Sequence, residues 1–306
     1  MGYNKKNKII VIGLPYFGKQ LVRDLKFYDP NIKVVYLNTY YSKLDRFKFL
    51  LFLPFYQTVL SINGSTSKSS AFDLAIRWKK KLFMIWVGSD VLLAKENHQH
   101  QSEIQVYKTY AKHLCEVAWI QQELAAISIP AAVTPFVSFD KQFAATTQDS
   151  KELKALIYIA QDKEQFYGIE WIIEAAKQLP KVQFTIVGSE GKGFEVSANI
   201  KFKGWVKDMN PLFQEHDVCI RIPEHDGLSV FVLESLARGK QVIYRYPFNH
   251  THYAPDEMAL VDSLKILETQ KASGQDLVHH EGIHFIQDHY QSHQVIPHLL
   301  SLLSPL

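Results

Sequence analysis

Two carboxylates, Asp226 and Glu234, stand eight residues apart in the run DVCIRIPEHDGLSVFVLESLARGKQVIY, residues 217–244. The apolar stretch 218–222 reads as a buried strand, 223–227 as a charged turn, 229–238 as a helix and 241–244 as a second strand. Gly239 stands where the end of a helix calls for a left-handed residue. Strand, turn, helix and strand in that order make one unit of a parallel sheet, and such sheets bind ligands beyond the carboxyl ends of their strands. Ser229 opens the helix, whose free N–H groups favour an anion such as phosphate. Glu234 lies in the second turn of that helix and Asp226 in the turn before it, so both acids are placed to face one ligand. The plain alternatives are a surface acid for Glu234 and a turn residue for Asp226.

A second candidate is GLPYFGKQ, which follows the apolar residues 8–12 and sets Gly13, Gly18 and Lys19 at the spacing of a phosphate-binding P-loop. Gln20 occupies the position whose hydroxyl ligates magnesium, so a phosphotransferase here is the weaker reading. The stronger one is a glycine-bearing turn between the first strand and first helix of a Rossmann-like domain, where Pro15, Tyr16 and Phe17 offer a substrate apolar and stacking surface. The histidines are a third candidate. His98 and His100 lie in ENHQHQ, His250 and His252 in a loop after the run 217–244, and His279, His280, His284, His289 and His293 gather further on. No cysteine accompanies them and their spacing matches no zinc site, so they read as loop and helix residues.

Apolar runs alternating with helical periods predict the elements that position these groups. Strands are expected over 8–12, 33–37, 58–62, 82–87 and 117–120, and helices over 19–27, 42–52, 71–80, 103–113 and 121–127. The small, polar tract AATTQDSKE, 144–152, reads as a linker. Beyond it, strands are expected over 155–160, 182–187 and 200–202 and helices over 167–180 and 210–215, before the run 217–244. Helices over 257–269 and 285–303 follow, the latter interrupted before Pro297. The helix over 42–52 carries Lys43, Arg46 and Lys48 among Leu44, Phe47, Leu50 and Leu51. That mixture fits a helix lying on an anionic membrane surface, and equally one packed on the sheet.

At 306 residues the chain has room for two domains of ordinary size, ~100 to 200 residues each. Hydrophobic residues make up 47% and charged residues 21%, which predicts packed cores rather than disorder. A net charge of +3 is too small to argue for a nucleic-acid partner. Cys115 and Cys219 lie in or beside apolar runs and read as reduced core residues of a cytoplasmic protein. No signal peptide is expected, and the apolar stretch 49–56 is too short to span a bilayer, which needs ~20 residues.

The run DGLSVFVLESLARGKQVI resembles the acidic-x7-Glu signature of GT-B glycosyltransferases, the family-4-like group that uses nucleotide sugars. WVGSD, ending at Asp90, is similar to a turn that faces the acceptor in that group. YGIEWIIEAAKQLP, from Tyr167, matches its second-domain helix. GSEGKG, from Gly188, resembles its glycine turn, and Gly204-Trp205-Val206 resembles the element that holds the nucleobase. The resemblance implies an α/β fold of GT-B architecture, two Rossmann-like domains facing each other across a cleft. It divides the chain into 1–146 on the acceptor side and 147–306 on the nucleotide-sugar side, with a last helix, about 290–306, packed back on the first domain.

It implies metal-independent, retaining transfer of a sugar from a nucleotide diphosphate sugar to a saccharide or lipid-linked acceptor, in the assembly of cell-surface polysaccharide or lipopolysaccharide. No cofactor, metal or nucleic acid is expected, and the setting is cytoplasmic, with peripheral contact at the inner face of the membrane. Glu234 would bind the donor ribose, since a carboxylate accepts two hydrogen bonds from vicinal hydroxyls. Asp226, Gly227, Leu228 and Ser229 would meet the sugar and phosphates, with Gly188 close by and Val206 against the base. Asp90, Gly13, Tyr16, Phe17 and Gly18 would border the acceptor, Asp90 having an N-cap role as its alternative.

Three positions depart from the family. Gln161 and Tyr167 stand where an Arg and a Lys usually grip the diphosphate, and Val87 where a histidine often precedes the glycine. Arg221 and Lys163 are the nearest replacement cations, Arg221 the better placed. A catalytically silent GT-B protein that binds or scaffolds is the competing reading.

Overall fold

The structure, a computed structural model, describes residues 8–139, 143, 145 and 150–303. The chain divides into two units, one of residues 1–140 with 290–306 and the other of 141–289. The first unit runs β1 (Lys8–Gly13), α1 (Pro15–Tyr28), β2 (Lys33–Tyr36), α2 (Lys43–Phe52), β3 (Thr58–Ile62), α3 (Ser70–Arg77) and β4 (Lys81–Trp86). It continues with α4 (Ser89–Gln99), α5 (Gln105–Tyr110), β5 (Lys112–Cys115), α6 (Ala118–Ala126) and β6 (Ala131–Val133), and a short 3-10 turn, Leu53–Phe55, precedes β3. The strands form one parallel sheet in the order β2-β1-β3-β4-β5-β6. Their sequences, such as KIIVIG and KLFMIW, are nearly continuous apolar runs because helices cover both faces of a parallel sheet. Ile10, Val59 and Met84 of the strands pack with Phe49, Phe72 and Tyr107 of α2, α3 and α5.

The first sheet is built outward in both directions from β1, so its order reverses between β1 and β3. Gly13 ends β1 at that reversal with φ +101, and a Cβ there would overlap the carbonyl oxygen of Ile62. Gly13→Ala is therefore expected to cost at least about 1 to 3 kcal/mol from backbone strain alone, before the overlap is counted. Urea unfolding of the purified variant measures it.

The second unit runs β7 (Lys154–Tyr158), α7 (Ile169–Gln178), β8 (Gln183–Val187), β9 (Ile200–Phe202), α8 (Asn210–Glu215) and β10 (Val218–Arg221). Then come α9 (Val230–Ala237), β11 (Gln241–Tyr244), β12 (His252–Tyr253), α10 (Glu257–Ala272) and α11 (His280–His289). Its parallel sheet has the order β12-β11-β10-β7-β8-β9, with the reversal between β7 and β10. Helix α7 buries Ile169, Ile172, Ala175 and Ala176, the one-face spacing of an amphipathic helix, against Ala155, Ile157 and Ile220 of the strands. The last helix, α12 (Ser292–Leu303), returns to the first unit and packs on α1. Ser292 Oγ donates to Ser138 Oγ at 2.9 Å, and Ser138 Oγ to Asp24 of α1 at 3.2 Å, so a buried polar chain fixes that docking.

Several local expectations change. Residues 112–115 form β5 rather than the end of a helix, although Lys112 and His113 interrupt the apolar pattern. His113 is accommodated because its Nδ1 accepts from Trp86 Nε1 at 3.1 Å. The apolar run 117–120 is the start of α6 rather than a strand. The C-terminal helices break at residues 290–291, where Gln291 caps α12 and the carbonyl of Tyr290 accepts from Phe139 N–H at 2.7 Å, while Pro297 sits inside α12. His98 lies in the last turn of α4, not in a loop. The expected linker, 144–152, falls largely outside the described residues. In α2, Phe49 is the buried side chain, and Leu44, Phe47, Leu50 and Leu51 face outward.

Candidate functional site

The loops beyond the carboxyl ends of β7, β8 and β10 meet at the reversal of the second sheet, where open α/β sheets form their ligand crevice. Backbone bonds knit them. Glu224 N–H donates to Phe166 O at 2.8 Å, joining the turn after β10 to the loop after β7. Gln161 Oε1 accepts from Glu190 N–H at 3.0 Å, joining the loops after β7 and β8. Gly188 takes φ +92 against Ile159, whose carbonyl oxygen a Cβ would overlap, so this approach requires glycine. Ser189 Oγ donates to the buried Glu164 Oε1 at 2.6 Å and accepts from Gly191 N–H, which closes the turn after β8.

Arg221 is the last residue of β10 and is 8% exposed. Its Nε donates to Asp226 Oδ2 at 2.7 Å and its Nη2 to Oδ1 at 3.1 Å, a two-pronged pair that fixes the plane of the guanidinium. The guanidinium carbon lies 4.7 Å from the ring centre of Tyr167 and 5.9 Å from that of Tyr158, where the ring quadrupoles attract it. Burial alone would weaken the charge of Arg221, but the Asp226 carboxylate outweighs it and holds the group above its ordinary value. Among the described residues none accepts a hydrogen bond from Nη1. Tyr244, paired in register with Arg221 at the end of β11, donates its hydroxyl to Gly227 O at 2.7 Å and pins the turn from the other side. Burial and the neighbouring Asp226 raise the Tyr244 hydroxyl well above its usual range, so it stays a donor.

Helix α9 begins behind this turn. Ser229 caps it in an extended conformation, and its hydroxyl makes no capping bond to the first-turn N–H groups. Gly227, Leu228 and Ser229 are buried and lead the chain into the helix. Glu234, two turns in, keeps its side chain 33% exposed and lies 3.9 Å from Arg238 Nη1. Arg238 is held elsewhere, by Asn210 Oδ1 at 2.8 Å and over the Phe213 ring at 4.4 Å, so the tie to Glu234 is loose. Lys163 is exposed in the loop after β7, and Val206 is half-buried beyond β9.

Asp226 has a task that the spacing did not suggest: both of its carboxylate oxygens accept from Arg221 and orient that guanidinium. Asp90 is bound by backbone. It is 5% exposed, and its two oxygens accept from the N–H groups of Gly64 (2.7 Å), Val87 (3.1 and 3.2 Å), Gly88 (2.9 Å) and Val91 (3.1 Å). Burial pushes Asp90 up to about 6 against the downward pull of those bonds. It positions the turns after β3 and β4, and α4 starts at Ser89, so Asp90 is not its N-cap.

The glycine turn at residues 13–18 is no phosphate loop. Helix α1 opens at Pro15, and Gly18 is buried inside it beside the Tyr36 ring. Tyr16 is exposed, and Phe17 is half-buried edge-on to Phe136, both at the reversal of the first sheet. Among the described residues no three His, Cys, Asp or Glu side chains gather where they could hold a metal. His98 pairs with Glu103 at 3.0 Å, and His250 stacks with His279 and Phe285. Sequence reasoning missed Tyr158, Glu164 and Tyr244. Tyr158 and Tyr244 end strands on either side of β10, and that shared position was the available signal.

Residues 154–247, which hold Arg221, Asp226, Glu234 and the loops around them, match the family described as glycosyl transferases group 1. No curated protein matches the chain in sequence. Among solved structures, Anabaena Alr3699/HepE in complex with UDP and glucose superposes with a TM-score of 0.70 at 12% identity, over 98% of this chain and 100% of that one. Sucrose-phosphate synthase from Thermosynechococcus elongatus gives 0.68 at 12% identity, over 97% and 98%. The pneumococcal O-GlcNAc transferase GtfA gives 0.57 at 13% identity over 80% of this chain, which spans 56% of the length of GtfA. The chain therefore has the fold of the GT-B glycosyltransferases, and residues 154–247 of its second unit are similar in sequence to the glycosyl transferases of group 1.

Proposed function

We propose that the chain transfers a sugar from a nucleotide diphosphate sugar to a saccharide or lipid-linked acceptor, in the cytoplasmic assembly of cell-surface polysaccharide or lipopolysaccharide. The observation that carries this reading is the pairing, at one strand-order reversal, of a fixed buried cation with a helix start and a helix-borne acid. Arg221 keeps Nη1 for the diphosphate while Asp226 holds its other edge. The start of α9, with Gly227 to Ser229, adds backbone N–H groups for the same charge. Glu234 accepts the ribose hydroxyls, Val206 lies against the base, and Gly188 lets backbone approach the ligand. Lys163, exposed in the loop after β7, supplies a second cation. UDP in the Anabaena HepE structure supports a uridine donor.

With charge supplied in this way, transfer runs without a divalent metal, and the lack of a histidine at Val87 favours retention over an inverting path that needs a base. A thermal-shift series of nucleotide sugars tests the donor: at about 100 times its dissociation constant the right one stabilises by ~2.7 kcal/mol, a rise of several degrees in melting temperature. Sugar transfer or donor hydrolysis with that compound should persist in EDTA. No shift with any nucleotide sugar would remove the proposal. Gln161, bonded to the Glu190 amide, and Tyr167, stacked on Arg221, leave those two positions without cations and favour the silent reading as the alternative. Tight nucleotide binding without turnover on any acceptor would select it.

A further inference from the structure

The amino edge of the first sheet, opposite the ends that carry Gly13 and Asp90, has a composition of its own. Every strand from β1 to β5 except β3 begins with lysine: Lys8, Lys33, Lys81 and Lys112. The segments that run down to this edge end in exposed aromatic residues. Phe27 and Tyr28 close α1, Phe55 closes the turn after α2, Trp78 closes α3 and Tyr110 closes α5. Phe27 is 76% exposed, Phe55 69% and Trp78 43%.

Direct bonds make the edge continuous. Gln57 N–H donates to Lys8 O and Lys81 N–H to Gln57 O, both at 3.0 Å, knitting the starts of β1, β3 and β4. Lys80 Nζ reaches Pro54 O at 3.1 Å, beside Phe55, and Tyr110 Oη donates to Lys80 O at 2.9 Å. Lys8 and Lys33 are register partners.

We propose that this edge is a docking surface for an anionic lipid bilayer. Among the described residues, none of Lys8, Lys26, Lys33, Lys79, Lys81 and Lys112 has an ion-pair partner, and Asp29 is the acid in the same turns. Positive charge left unpaired along an edge is complementary to acidic headgroups, each lysine near such a surface contributing about 1 kcal/mol. Trp and Tyr with Lys are the residues favoured at a membrane interface, where an amphipathic ring sits among headgroups. The outward apolar residues of α2, Leu44, Phe47 and Leu51, lead down to Phe55 at the edge. Phe27, Phe55 and Leu51 have no polar group for a phosphate backbone, which argues for lipid over nucleic acid. No helix among the described residues is long and apolar enough to cross a membrane, so the attachment is to a surface. The proposal does not depend on the sugar-transfer reading.

Sedimentation of the full chain with phosphatidylcholine vesicles, with and without phosphatidylglycerol, tests it. The protein is expected to bind the phosphatidylglycerol vesicles and to be released by salt. Lys79→Glu/Lys81→Glu/Lys112→Glu should weaken binding by about fivefold for each lysine, the equivalent of about 1 kcal/mol apiece, and about a hundredfold together. Tryptophan emission should shift to the blue on binding in the parent protein and shift less in Trp78→Phe. Circular dichroism melts confirm that the variants are folded. Failure to bind phosphatidylglycerol vesicles, or equal binding by the folded triple variant, overturns the proposal. So does an oligonucleotide bound by the parent and lost in that variant while vesicles stay unbound, which would assign the edge to nucleic acid.

Discussion

Glu234→Ala is expected to lower kcat/KM for the nucleotide sugar by about 10² to 10⁴, with the fold intact. Two charge-assisted hydrogen bonds to vicinal hydroxyls are lost, each worth about 1.5 to 3 kcal/mol, at tenfold in rate per ~1.4 kcal/mol. The fold should hold because the Glu234 side chain is one-third exposed and its tie to Arg238 spans 3.9 Å. An ion pair that long, with its carboxylate still reached by solvent, contributes on the order of 1 kcal/mol. Arg238 is buried, and in the variant it keeps the backbone carbonyl of residue 234, Asn210 Oδ1 and the Phe213 ring as partners for its charge. Nucleoside diphosphate release by purified protein, beside a melt with and without donor, reads both quantities. A variant that keeps its donor-induced thermal shift would show that the pentose is held elsewhere.

From β7 to β11 the second unit was legible to within a few residues because its signals agree with one another, whereas β12 and the bounds of α11 were not. Apolar runs at 182–187 and 218–222 are bounded by glycine or charged turns, and the helix between 229 and 238 is closed by Gly239 at φ +69. The first unit was legible in its order but not in its details, since its signals conflict. Lys112 and His113 sit in a strand that their polarity disguises, and the run 117–120 is apolar enough to read as a strand while folding as helix. Gly13-x4-Gly18-Lys19 mimics a phosphate loop, but Pro15 starts a helix early and carries Gly18 into it.

The candidate site was legible as a place more than as a set of roles. Sequence spacing put Asp226 near Glu234, yet it could not reveal that a residue five positions earlier would claim both carboxylate oxygens. Roles of that kind depend on side-chain directions across neighbouring strands, which a one-dimensional pattern does not carry. Asp90 shows the same limit, for its partners at Gly64 and Val87 come from two different loops.

Asp226→Asn should destabilise the protein by about 3 to 5 kcal/mol, the usual result of removing one partner from a buried pair and leaving the other charge uncompensated. At about 2 to 4 °C per kcal/mol, that is a fall on the order of 10 °C in melting temperature. Arg221 meets the condition, since it is 8% exposed and donates from both Nε and Nη2 to Asp226. The double variant Arg221→Gln/Asp226→Asn should recover most of the loss, because no charge then remains to be solvated in the turn. Donor binding should not recover with it. Arg221 contributes its remaining N–H groups to the diphosphate from the plane that Asp226 fixes, so the single variant, which releases the guanidinium, and the double variant, which removes it, both lose affinity, while most of the stability loss is confined to the single variant. Were Asp226 an independent sugar ligand, the asparagine variant would melt near the parent temperature and the double variant would be additive, since each change would then remove an interaction of its own.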